Sequence, residues 1–225
     1  MCTLEKTPVQ LQLERGYHVK TFVNNLKLLR FASLVMLSGV ILTSGCARYA
    51  RNINPLYEPV VTARGAAGDV YITMPPRQET LSSSEKWVIG TVNNRDGEKI
   101  DEIFSPRSPA EIVQSALSQE LQRAGYTVHA VTARPAGSVK ALDLTSVDVV
   151  LDQTSNLSDL KAKCSMKVRL DISKGGQLLK KLQYESSYSD TNVKDRDLLA
   201  AAVLQEALHS IMQRAVPEII SILEK

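Results

Sequence analysis

Between Leu160 and Ser173 the chain reads LKAKCSMKVRLDIS, and every residue of it obeys an odd-even division. Leu160, Ala162, Cys164, Met166, Val168, Leu170 and Ile172 fall on one side. Lys161, Lys163, Ser165, Lys167, Arg169, Asp171 and Ser173 fall on the other. Successive side chains point to opposite faces in a strand, so the run predicts a strand with one face buried and one wet, as in an antiparallel sheet. A sheet with one dry face must be covered by another layer.

The neighbouring segments supply that layer. Lys174-Gly175-Gly176 turns the chain into a partner strand over Gln177–Ser187, from which Leu178, Leu182 and Tyr184 meet the core. The chain closes with a long helix over Asp197–Leu223. Leu199, Ala202, Val203, Leu208, Ile211, Met212, Ala215, Ile219 and Leu223 recur there at helical spacing, and Pro217 is expected to kink the helix or begin a new turn. A second helix is announced by Ser108-Pro109-Ala110-Glu111: a serine cap, a proline at the first helical position and a glutamate three residues after the cap. Ile112, Val113, Ala116, Leu117, Leu121 and Ala124 form its apolar stripe, and Gly125 supplies the left-handed stop.

Four further strands are expected, at Asp69–Met74, Lys86–Val92, Tyr126–Val131 and within Leu142–Thr154. Asn94, Asp96 and Gly97 mark a turn that opens a charged loop running to Arg107. The order is β-β-α-β-β-β-β-α, an α+β fold: a mostly antiparallel sheet with two helices packed on one face.

Upstream, FASLVMLSGVILTSGCARYA at 31–50 poses a different question. Its most apolar part, Phe31–Leu42, is about half of the ~20 residues a membrane-spanning helix needs. Lys20, Lys27 and Arg30 precede it and the small residues Ser44 and Gly45 follow, which is the order of a secretory signal peptide. LTSGC resembles a bacterial lipobox. That resemblance implies cleavage between Gly45 and Cys46 and attachment of a diacylglycerol to the thiol of Cys46. The alternative is an ordinary signal peptide, or a short anchor helix, with an incidental cysteine. Glu14-Arg15-Gly16 can be encoded by a purine-rich ribosome-binding sequence just ahead of Val19, so translation is expected to begin near Val19, with residues 1–18 a spurious extension. The expected organisation is a signal segment at 1–45, a lipidated flexible tether at 46–68 and one periplasm-facing α+β domain at 69–225. Pro55, Pro59, Gly65 and Gly68, with no sustained period, carry the tether assignment.

Charge and cysteine usage fit export. Residues 1–45 hold five of the 27 basic and two of the 24 acidic side chains, which leaves 22 of each and a formal net charge of zero after them. The field of a nucleic-acid binder is absent, and no nucleic acid is expected as a partner. Of three cysteines, Cys2 lies in the leader and Cys46 is the lipidation site, so Cys164 stands alone and no internal disulfide forms in the mature chain. Lipidated cysteines of the resembled type carry two or three acyl chains, and two suffice for stable anchoring. The membrane is therefore one partner. Ala47, where Asp would be the usual inner-membrane retention signal, favours sorting to the outer membrane.

The whole pattern resembles the YajG-type lipoproteins, an envelope family. The residues that carry it are the lipobox, Val92-Asn93-Asn94-Arg95, and Leu121-Gln122-Arg123-Ala124-Gly125-Tyr126-Thr127-Val128, followed by a strand hairpin and a C-terminal helix. The resemblance implies a non-catalytic lipoprotein facing the periplasm, with no cofactor and no catalytic residue. The residues agree in offering no chemistry of their own. His129 and His209 have no metal-ligand spacing, and Ser82, Ser83 and Ser84 lack a nucleophile frame.

Two surfaces remain as candidates. The row Lys161, Lys163, Lys167 and Arg169 is placed to meet lipid phosphates or a partner, against the plainer reading of a solvated sheet face. The charged loop 94–107 is a candidate protein contact, with Ile103 and Phe104 packing under the helix cap. The favoured function is a lipid-anchored binding or assembly module with an envelope protein partner. An auxiliary subunit of envelope lipid, lipopolysaccharide or ABC-type transport is the second reading, and an envelope hydrolase the third.

Overall fold

The alternating run forms β6, Leu160–Lys174, and its even residues from Leu160 to Ile172 are all buried. In this computed structural model residues 52–65, 67–75, 86–135, 137, 140–156, 159–192 and 198–225 are described. They belong to one compact unit, Arg48–Lys225. Gly45, Cys46 and the rest of the leader lie outside the described residues, as do the serine loop and Asp197.

Along its whole length β6 pairs antiparallel with β5, Lys140–Ser155, and with β7, Gln177–Asn192. Gly175 and Gly176 join β6 to β7 with φ of 58° and 83°, the pair of positive values that a two-residue hairpin turn demands. The other side of β5 takes two short strands in line. β1, Asp69–Thr73, lies parallel beside its start, with Tyr71 opposite Ala141; β2, Trp87–Asn93, lies parallel beside its end, with Gly90 opposite Leu151. Their registers cover the two ends of the sixteen-residue β5, residues 141–143 and 151–154. β3, Lys99–Ser105, pairs antiparallel with β2, and β4, Thr127–Val131, pairs parallel with β1.

Among the described residues the seven-stranded sheet is therefore mixed rather than purely antiparallel: its long pairings, β5–β6 and β6–β7, are antiparallel as expected, while β1–β4, β1–β5 and β2–β5 are parallel. Parallel neighbours need a crossover of a dozen or more residues, usually through a helix. The path from β1 to β4 has one, since it includes β2, β3 and a helix. β3 falls in the segment that the sequence predicts as a charged loop. Its text, KIDEIFS, carries charge at three of seven positions, so its alternation is weak. The turn before it is built by Asn94, whose Oδ1 accepts the N–H groups of Asp96 (3.0 Å) and Glu98 (2.8 Å).

Both helices cover the dry face. α1, Pro109–Arg123, begins with the expected capping box: Ser108 Oγ accepts the Glu111 N–H at 3.1 Å and Glu111 Oε2 accepts the Ser108 N–H at 2.6 Å. It ends with Gly125 at φ 110°, and the N–H groups of Gly125 and Tyr126 close back on Gln122 and Leu121. α2, Leu199–Leu223, packs on β5, β6 and β7 and against α1. It is one continuous helix through Pro217, whose side is exposed. Two residues given to the core are not there: Ala202 faces solvent, and Leu178 is exposed beside a bulge in the β6–β7 pairing.

Gln153 is a polar exception on the dry face. It is fully buried on β5, and neither Nε2 nor Oε1 has a hydrogen-bond partner. An orphaned buried polar group costs about 1–3 kcal/mol. Gln153→Met keeps the length and removes both groups, so urea unfolding of this variant should show stability raised by about 1–3 kcal/mol at an unchanged m-value.

Candidate functional site

The most elaborate polar arrangement lies under the segment that precedes β1. Residues 52–65 carry no regular structure, yet Ile53 and Val61 are buried. The Ile53 N–H donates to Phe104 O at 2.9 Å and the Gly65 N–H to Ala124 O at 2.9 Å. The guanidinium groups of Arg107 and Arg123 donate to the carbonyls of Pro55 and Pro59. At the centre of this strap stands Glu120 of α1, only 1% exposed. Its Oε1 accepts the Val60 N–H at 2.8 Å and the Tyr57 hydroxyl, and both of its oxygens accept the Val61 N–H, at 3.3 and 3.2 Å.

A carboxylate on a buried helix stripe is costly unless its lone pairs are filled, and here the strap fills them. Burial first, and then the hydrogen bond to Glu120, push the Tyr57 phenol above the usual tyrosine range, so its hydroxyl stays a donor. The Tyr57 ring meets His209 of α2 edge-on, at 5.3 Å between centroids. The composition of 46–68 predicts a free tether. From Asn52 to Gly65 the chain is instead held on the domain, because Glu120 offers a partner for backbone groups that a free linker gives to water. The sequence signal was Glu120 itself, an acid set directly before Leu121 on the apolar stripe.

The basic row lies where the alternation placed it, on the wet face of β6, but it is not a bare cationic strip. Lys167 pairs with Glu185 at 2.6 Å, and Lys167 holds the Glu185 carboxyl below the usual range. Arg169 donates to Gln183 Oε1 at 2.9 Å. Across β5, Lys163 stands opposite Asp152, Lys167 opposite Asp148, and Lys161 opposite Thr154. Cross-strand pairs of opposite charge stabilise a sheet face by a few tenths to about 1 kcal/mol each. A phosphate here competes with three carboxylates already in place, so the geometry suits a solvated face better than an anion site.

The histidines are separate. His129 of β4 stacks on Tyr71 of β1 at 4.9 Å, and its Nε2 lies 2.8 Å from Asp69 Oδ1 on the same exposed patch. His209 is near Glu206 at 3.7 Å, and its Nε2 is buried without a partner. Cys164 is buried on the dry face of β6, and burial pushes its thiol up to about 12, which leaves it inert at neutral pH. Of the loop 94–107, Lys99–Ser105 is strand. Ile103 is buried, and Phe104 is paired with Val88 and bridged to Asn52. Among the described residues no group of three His, Cys, Asp or Glu side chains gathers as a metal site.

No protein-family model matches the chain, and no curated protein matches it in sequence. Solved structures similar to it include a DUF330-family protein from Xanthomonas campestris, at 10% identity and a TM-score of 0.47 over 76% of this chain and 94% of that one. A neuraminyllactose-binding hemagglutinin homolog from Helicobacter pylori is similar at 12% identity and a TM-score of 0.43, over 76% and 98% of the two chains. The rare lipoprotein B of Shewanella oneidensis is similar at 11% identity and a TM-score of 0.30, over 59% and 90%. Likeness at this level carries no functional argument.

Proposed function

We propose that this chain is a non-enzymatic lipoprotein of the bacterial cell envelope, of YajG type, held by acyl chains on Cys46 at the outer membrane and presenting its α+β domain to the periplasm as a binding or assembly module. The observation that carries the reading is the order of basic residues, short apolar run, small residues and cysteine that ends in LTSGC. The docked strap gives it a physical consequence. Six residue steps separate Cys46 from Asn52, a fully extended reach of about 20 Å, where an entirely free segment to Gly68 would reach roughly 70 Å. With the strap docked, the domain works close to the lipid surface.

The test is Cys46→Ser in the native host. The wild type is expected to be cleaved and to fractionate with the outer membrane, while the variant accumulates as uncleaved precursor. Unaltered cleavage and fractionation of the variant would remove the basis for lipid anchoring. Affinity capture from detergent-solubilised membranes then addresses the partner, and recovery of a lipid or lipopolysaccharide transport complex narrows the module to an auxiliary subunit of it.

A further inference from the structure

β7 is the outermost strand on its side of the sheet, paired with β6 and with no other described strand. A sixteen-residue open edge is a template for another strand. Which of its backbone groups face outward follows from the turn. Lys174 and Gln177 close a two-residue hairpin and so exchange both hydrogen bonds, after which bonded and non-bonded pairs alternate. Lys167 is seven positions before Lys174, hence in a non-bonded pair, and its partner Glu185 directs its N–H and C=O away from β6. Arg214 of α2 confirms the count, since its Nη2 reaches the Glu185 carbonyl at 2.5 Å from the open side. By the same alternation Lys181 and Gln183 also offer their backbone groups outward.

We infer that two copies of this chain pair antiparallel through β7, about a two-fold axis at Gln183. A symmetric antiparallel pairing can be centred on any of these three residues or on Leu182 or Tyr184 between them, and charge chooses among the five, since centring on Leu182 or Tyr184 sets no opposite charges against one another. Centred on Lys181 the pairing sets two lysines face to face; centred on Glu185, two glutamates. Centred on Gln183 it sets Lys181 opposite the second copy's Glu185, twice by symmetry. The same register places Leu182 opposite the second copy's Tyr184 on the dry side and Lys180 opposite its Ser186, with no like charges in contact. The bulge at Leu179 ends the paired stretch. Arg214 competes with the second copy's Lys181 N–H for one carbonyl, and so sets how tightly the edge is held closed.

The experiment is oxidative cross-linking of the full chain in its own membranes. Across a bonded antiparallel pair the Cα atoms lie about 5.5 Å apart, within disulfide range. Gln183→Cys is therefore expected to give a covalent dimer well above the wild-type background. Lys181→Cys and Glu185→Cys, each four residues from its own copy in this register, should stay at background. Added to Gln183→Cys, Lys181→Glu sets glutamates opposite one another and should lower the dimer yield about tenfold, and Glu185→Lys added to that should restore it. Arg214→Ala should raise the yield. A Gln183→Cys yield no greater than that of Lys181→Cys, or a charge exchange that fails to restore the loss, would overturn the dimer.

Discussion

Gly90→Ala is expected to lower stability by about 3 kcal/mol or more, at the upper end of what forced overpacking costs. Gly90 faces Leu151 across the parallel β2–β5 junction. A Cβ built on it lies 2.0 Å from the Leu151 carbonyl oxygen and 2.7 Å from the Leu151 Cβ. The first obstacle is backbone, which cannot swing aside as a side-chain tip can, so β2 must leave β5 or β5 must bend. Trp87, the only tryptophan of the chain, begins β2 and reports directly on that separation. Urea unfolding followed by tryptophan fluorescence should show an early transition in Gly90→Ala. A midpoint within experimental error of wild type would mean that the junction is looser than described.

Glu120→Ala should have the second largest effect, because it strands the Val60 and Val61 N–H groups and the Tyr57 hydroxyl at once. Hydrogen bonds to a charged partner contribute about 1.5–3 kcal/mol each, and their loss here is not simply additive. The strap can also lift off and give those groups to water, which bounds the global loss at the strap's own docking free energy. We expect about 3 kcal/mol, with amide exchange at Val60 and Val61 accelerated about a hundredfold while β6 amides follow the change in global stability alone. If Val60 and Val61 stay as protected as in the wild type, Glu120 does not hold the strap. Under the proposed lipid anchor, lifting the strap also lengthens the tether, so the domain of the variant would range farther from the membrane than that of the wild type.

What could be read from the chain before its structure divides along a physical line. Local chemistry was legible. The alternation of β6, the Ser108–Glu111 capping box, the Gly125 stop and the apolar stripe of α1 all appear as expected, since each depends on residues within a few positions of one another. Direction and register were not. Nothing in the short apolar β1 and β2 distinguishes a parallel neighbour from an antiparallel one, and β5 extends to sixteen residues because β6 pairs with it along its whole length. The strap was missed for a third reason. Pro55, Pro59 and Gly65 do remove regular structure, as read, but lack of period says nothing about docking when the partner is a single carboxylate some sixty residues away. The basic row was found by number, and only the register of β5 and β7 revealed the carboxylates set against it.

The claim beneath all of this is chemical: that Cys46 is the first residue of the mature chain and bears lipid. Mass spectrometry of the tryptic peptide that ends at Arg48 decides it. The expected species is Cys46-Ala47-Arg48 carrying a diacylglyceryl thioether and an acylated amino group. A peptide in which Gly45 is still joined to an unmodified Cys46 would contradict it.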